Sequence, residues 1–431
     1  MTSVTTRLLE LSPMTRVEGS GAIRMKIEGD QVSEIALDIL EPPRFFEAFV
    51  RGRHFSEIPD LTARICGICP VAHQMTSAQA LERALGAALP SQLIRLRRLM
   101  YCAEWLESHA LHVFLLNLPD FLGFDSAISM AAVQPELVSR GLRIKRAGSA
   151  VVELLGGRAT HPVSIRVGGF SKTPERSELQ TLRAELEWAL GASVDAGMFL
   201  AGLDFPSFVS EPDFVALRSH DYAIGQGVIA TSRGEEFPVE EFEEHFSEQQ
   251  VEHSTALHSV RSKDGRAYMV GPLARLAINL DRLTPAAADL AIHCGIRWPS
   301  ANPFHGIVAR AIEMVFACEE SLAIIDSWSE PPVDHVPVET APGSGCSATE
   351  APRGLLYHRY SVSDRGLIES ARITPPTAQN LRRMDDDLHR LANAHVHLED
   401  EDLGHLCERL VRTFDPCISC STHAIRVEIE R

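Results

Sequence analysis

Residues 63–74 read ARICGICPVAHQ and residues 415–423 read DPCISCSTH, so two C-x-x-C pairs, each followed by its own histidine, stand near opposite ends of a 431-residue chain. A C-x-x-C pair puts two thiols within reach of one metal ion, and the surrounding backbone turns so that amide hydrogens point at the sulfurs. In the second pair Asp415 is expected to cap a helical turn and Pro416 to open it, an arrangement that lowers thiol pKa values and readies thiolate ligands. The pairs make one four-thiolate site only if the fold returns the C-terminal end to the N-terminal part. Such soft donors select zinc, copper(I), iron or nickel over hard cations. A structural zinc staple is disfavoured because ordinary zinc pairs lie about 15 to 20 residues apart. A thioredoxin-type redox pair wants a βαβ unit, and the flanking chain is helical in pattern.

The rest of the chain is consistent with a large, mostly helical body. Hydrophobic residues make up 45% of it, and 58 acidic against 41 basic residues leave a net charge of −17. That balance excludes nucleic acid as a partner, since phosphate binding needs a basic surface. No apolar run approaches the roughly 18 residues needed to cross a bilayer, and MTSVTTRLLELSPMTRVEG lacks the features of a signal peptide, so a cytoplasmic protein without direct membrane insertion is expected. Nine cysteines, odd in number and unevenly spaced, suit metal ligation and core thiols rather than a disulfide framework. Cys102, Cys294, Cys318 and Cys407 sit singly among apolar neighbours and read as small buried hydrophobes.

Alternation around Gly29-Asp30 predicts a β-hairpin over about 20–40. Apolar residues at three- and four-residue spacing predict helices over about 71–89, 91–118, 130–155, 174–203, 284–297, 305–328, 376–396 and 399–412. Between about 208 and 280, glycine-broken β-type runs and the acidic EEFEEHFSEQQVEH, a helix or loop, form an elaboration on the helical body. A second hairpin is expected over 354–373. Pro-rich 330–346 reads as a loop whose Gly343 and Gly345 permit close backbone approach. The predicted class is α+β, mainly α, as a single domain over 1–431.

RICGICPVAH and DPCISCSTH resemble the two cysteine signatures of the large subunit of nickel-iron hydrogenases, R-x-C-G-x-C-x-x-x-H and D-P-C-x-x-C-x-x-H. The resemblance spans the chain, with RVEG at 16–19, EPPRFFEAF at 41–49 and EAPRG at 350–354 in the expected order. It implies the large-subunit fold, with a central bundle of long helices and small peripheral sheets, and it implies reversible heterolytic cleavage of dihydrogen. By the same resemblance Cys66 and Cys417 are terminal nickel ligands, while Cys69 and Cys420 bridge to an iron carrying carbon monoxide and cyanide. Cys417 and Glu18 match the proton-transfer groups, and Arg353 matches the arginine over the open coordination site, with Pro352 and Asp415 around it. Glu47 and His423 correspond to ligands of a structural magnesium or similar cation, and His73 to a histidine near a bridging sulfur.

Two departures stand out. WLESHALH offers Ser108 and His109 where many members have an aspartate beside Arg353, and Cys346, outside the core signature, is read as inert. Residues 424–431, AIRVEIER, match an extension that a maturation protease removes once nickel-insertion proteins have acted. No cysteine set remains for an electron relay, so an iron-sulfur small subunit is implied. The sequence looks most like the cytoplasmic multi-subunit group linked to NAD(P), and no G-x-G-x-x-G follows a strand, so NAD(P) and flavin belong to diaphorase-type partners. Alternatives are an F420- or ferredoxin-linked hydrogenase and a dihydrogen sensor; the four cysteines argue against the homologous quinone-site subunit of respiratory complex I.

Overall fold

The computed structural model describes residues 6–11 and 13–422. Ten helices carry the architecture: α1 Pro70–Leu85, α2 Ser91–Leu111, α3 Pro135–Gly156, α4 Arg183–Ala201, α5 Pro272–Asn279, α6 Pro285–His293, α7 Gly306–Asp326, α8 Pro376–Ala394, α9 Asp400–Thr413 and the single turn α10 Ile418–Ser421. Helix α2 passes into a π-helical turn, His112–Asn117, a distortion that usually marks a functional position. The long helices α2, α3, α4 and α7 pack on one another, and their apolar stripes supply most of the main core, including Trp105, Val151, Leu186 and Phe316. Cys102, Cys294, Cys318 and Cys407 lie in that core as small hydrophobes. No single helix among the described residues is long and apolar enough to cross a membrane.

Eleven strands form the sheets that matter to the site: β1 Thr6–Leu11, β2 Gly21–Glu28, β3 Gln31–Ile39, β4 Val215–Arg218, β5 Val228–Thr231, β6 Glu236–Phe237, β7 Phe246–Val251, β8 Ser254–Arg261, β9 Gly343–Ala351, β10 Gly354–Val362 and β11 Ile368–Thr374. The hairpin expected over 20–40 is β2–β3, but it sits inside a five-stranded sheet of order β1-β2-β3-β8-β7. The segment over 208–280 is therefore divided. Strands β4–β6 make a sheet of their own, whereas β7 and β8 extend the N-terminal sheet, and EEFEEHFSEQQVEH runs from helix into strand β7.

The hairpin over 354–373 is β10–β11, and the stretch ahead of it departs from expectation. Residues 343–346, read as loop, belong to strand β9. This strand lies so close along α1 that a Cβ on Gly345 would stand 2.4 Å from Ala84 N and 2.5 Å from Ala80 O. The two glycines thus do admit close backbone approach, and what approaches is the helix that starts at the first cysteine pair. That contact places the EAPRG turn, between β9 and β10, against the cysteine-bearing part of the chain.

Candidate metal centre

The first cysteine pair ends at α1: Cys69 is the residue ahead of the helix and Pro70 occupies its first turn, where a missing N–H costs nothing. The next two amides, of Val71 and Ala72, donate to the buried Glu104 carboxylate of α2 at 2.7 and 3.0 Å, so the helix start is held from the neighbouring helix. The backbone N–H groups of Ile68 and Cys69 point at Cys66 Sγ, at 3.3 and 3.4 Å. At the other end, the turn begins two residues later than expected. Cys417, not Asp415, precedes α10, and the Cys417 amide donates to Thr377 Oγ1 at 2.9 Å. Asp415 takes a left-handed backbone, φ 54°, which turns its carboxylate toward Arg353 instead of capping.

The two ends meet. Sγ of Cys66 lies 3.3 Å from that of Cys417, Cys69 lies 3.7 Å from Cys420, and Cys417 lies 2.9 Å from Cys420. All four ligand atoms fall within 4.8 Å of one another, and all four residues are buried and outside any disulfide. Hydrogen bonds from Cys417, Cys420 and Cys69, with the charge of Arg353, hold the Cys66 thiol well below its ordinary value against burial, while burial pushes Cys417 well up. Burial opposes thiolates here, and a bound cation is what would ionise them. Chemistry and geometry of the donors therefore fit a soft metal centre.

Three further segments close the pocket. Glu18 pairs its backbone with Cys417 as a parallel bridge, and its Oε2 accepts the Ser419 N–H at 3.0 Å. Gly19 makes this possible: at φ 95°, with Ile418 Cβ 2.5 Å from where its own Cβ would stand, no other residue fits. Arg44, in the quoted EPPR, donates to both Ile65 O and Ser419 O, tying the two cysteine loops together.

Arg353 lies buried with Nε donating to Asp415 O at 2.7 Å and Nη2 to Asp415 Oδ1 at 3.0 Å. Nη1 has no hydrogen-bond partner among the described residues. Burial opposes its charge, but Asp415 and the cysteines Cys417, Cys69 and Cys66 outweigh it and hold the guanidinium well above its ordinary value. Asp415 is in turn held below the usual carboxylate range, against burial, by Arg353, His112 and Arg310. Where an aspartate was lacking, His109 turns away from Arg353 and reaches Glu313 Oε2 at 2.9 Å.

Glu313 anchors a buried network that sequence reading missed. Arg275 clamps it through Nε and Nη2 at 2.6 and 2.7 Å and reaches Glu350 Oε2 at 3.1 Å and Pro352 O at 2.9 Å. It thereby fixes the backbone of the EAPRG turn under Arg353. The available signal was charge in apolar surroundings, as in GIVARAIEMVF: a lone Arg or Glu in a core helix is costly unless paired.

Other expected site residues are placed less directly. His73 is buried, its Nδ1 3.2 Å from His358 Nε2, and His358 Nδ1 is 2.9 Å from Tyr360 Oη. Glu47 accepts the Ile373 N–H at 2.8 Å. His423 and residues 424–431 lie outside the described residues. Cys346 packs with Tyr357 and Leu355 in a different hydrophobic cluster from the four cysteines.

The sequence model of the family described as nickel-dependent hydrogenase matches residues 44–141 and 238–423. Sulfhydrogenase 1 subunit alpha of Pyrococcus furiosus is 36% identical over 426 residues, covering 97% of this chain and 98% of that one. The NAD-reducing hydrogenase HoxS subunit beta of Cupriavidus necator is 29% identical over 471 residues, covering 97% and 95%. Among solved structures, an NAD+-reducing [NiFe]-hydrogenase in the H2-reduced state superposes with a TM-score of 0.88 at 29% identity, over 97% of this chain and 100% of that one.

Proposed function

Since the chain belongs to the nickel-dependent hydrogenase family and is its catalytic large subunit, we propose that it works in a cytoplasmic, NAD(P)-linked complex, with its individual residues in the following roles. The observation that carries the reading is the convergence of four buried cysteine sulfurs from both chain ends within 4.8 Å. Cys66, Cys69, Cys417 and Cys420 would together hold a nickel-iron centre whose iron carries carbon monoxide and cyanide. When bound, that centre supplies the heterolytic cleavage of dihydrogen.

The protein's own part is to hold charge and move a proton. Arg353, locked to Asp415, presents its unpartnered Nη1 as a fixed positive donor in a water-poor site, where such preorganised charge acts most strongly. Cys417 accepts the proton first, and Glu18, held beside it through the Ser419 amide, receives it next. Pro352 O is pinned by Arg275, which keeps Arg353 from drifting. Glu47, with His423, holds magnesium or a similar hard cation, and His73 orients the groups around the bridging sulfurs.

Electrons leave through an iron-sulfur small subunit; exposed Leu40, Phe45 and Phe49 beside the Arg44 joint offer it an apolar face. Diaphorase-type subunits, a maturation protease acting on 424–431 and nickel-insertion proteins complete the proposed set. The HoxS relative and the NAD+-reducing structure support nicotinamide as acceptor. A second reading, a sulfhydrogenase-type complex, draws on the 36% identity to the Pyrococcus furiosus subunit.

The test is metal analysis with infrared spectroscopy on the purified complex, followed by acceptor assays under hydrogen. About one nickel and one iron per chain, with carbonyl and cyanide bands, and reduction of NAD or NADP are expected. Zinc alone without such bands, in a chain whose mass shows 424–431 removed, would overturn the metal assignment. A preference for sulfur acceptors would favour the second reading.

A further inference from the structure

Away from the four cysteines, His253, His258 and Asp385 each bring one ligand atom to a common point, all within 4.8 Å of one another. They come from separate elements: the β7–β8 turn, strand β8 and helix α8. Asp385 Oδ1 accepts the Leu37 amide of β3 at 3.1 Å, which fixes the carboxylate. Its Oδ2 lies 3.1 Å from His253 Nε2 and 3.7 Å from His258 Nδ1, and only the first is a hydrogen-bond distance.

His258 is the telling residue. It is 1% exposed, and among the described residues neither ring nitrogen has a hydrogen-bond partner. A buried imidazole left unsatisfied on both sides carries the desolvation cost of both nitrogens. Around the cluster stand the Asp38–Arg24 pair, Arg382 and His389.

We propose that His253, His258 and Asp385 form a second metal site, for one divalent transition-metal cation of zinc type, held by two imidazole nitrogens and one carboxylate oxygen. Imidazole donors select such borderline ions over magnesium or calcium, and three protein ligands leave a position for water. His253 borders a surface cavity of about 910 Å³, lined by Glu10, Glu34 and Glu252 together with Arg24 and Lys26, which provides a polar route of entry. The role is that of a clasp. Strands β3 and β8 join in parallel through Ser254 and Ile39, and β8 is bulged between Ser254 and His258, so the ladder is thin where the cation would pin the sheet to α8.

The experiment uses the intact complex, stripped of loosely held metal by a chelator and re-equilibrated with zinc chloride. Zinc per chain is counted, and X-ray absorption at the zinc edge reads the ligands. One zinc with nitrogen and oxygen ligation is expected, distinguishable from any sulfur-bound zinc at the cysteines. His258→Gln and the half-exposed His253→Gln should each weaken it by more than the about 10–100-fold that outer-shell changes already cost, with hydrogen uptake unchanged. Absence of nitrogen-ligated zinc from the wild-type complex, or equal zinc in both variants, would reduce the cluster to a metal-free packing arrangement and overturn the proposal.

Discussion

Replacing Arg353 by leucine would leave the Asp415 carboxylate, 3% exposed, without the guanidinium now 3.0 Å away. Breaking a buried pair in this way costs about 3–5 kcal/mol, because an uncompensated charge stays behind. For a chain of 431 residues, an unfolding entropy of about 2.1 cal/mol/K per residue gives about 0.9 kcal/mol/K, so the thermal midpoint should fall by roughly 3–6 °C. Adding Asp415→Asn removes the stranded charge, and the double variant should recover most of that loss. Arg353→Lys should recover stability as well, while leaving hydrogen turnover low, since one ammonium cannot hold Asp415 and present a second donor together. Calorimetry of the complex, with hydrogen uptake measured in parallel, reads both quantities. A double variant as unstable as Arg353→Leu would refute the reasoning, because the loss could not then come from a stranded Asp415 charge.

Other perturbations test separate parts. Cys417→Ser substitutes a hard donor for a soft one and should abolish nickel retention while far-UV circular dichroism stays unchanged; full nickel content would contradict the four-thiolate site. Gly345→Ala drives a methyl into the α1 backbone and should cost about 1–3 kcal/mol, lowering the urea midpoint and the nickel content together. Glu18→Gln, which keeps an acceptor for the Ser419 amide but cannot take a proton, should slow hydrogen–deuterium exchange with little change in metal content. Burial pushes His109 down to about 4 and His112 down to about 3, against about 6.5 in an unfolded chain. The unfolded state therefore binds more protons as pH falls below 6.5, and stability present above that value is lost toward the folded values, at up to about 1.4 kcal/mol per pH unit for each histidine. His109→Gln should flatten the pH dependence of the unfolding midpoint between 6.5 and 4, and an unaltered slope would show that the buried ring is not the cause.

The sequence by itself determined the cysteine pairs, their donor chemistry and most helix positions, because a 3.6-residue apolar period and a C-x-x-C spacing are local facts. It also carried Glu18, Arg44 and Arg353 inside motifs, without showing what they touch. Tertiary structure decided the rest. Asp415 reads as a cap because an aspartate before a proline usually is one; a buried arginine from the β9–β10 turn, Arg353, competes for it and wins by charge. The loop over 343–346 became strand β9 because its glycines let a backbone lie against α1, a partner far away in sequence. Glu350 lies inside EAPRG, while Arg275 and Glu313 show in sequence only as charges among apolar neighbours, with no partner legible. Only the fold brings them into one buried ion network, where pairing offsets the desolvation that would otherwise exclude all three.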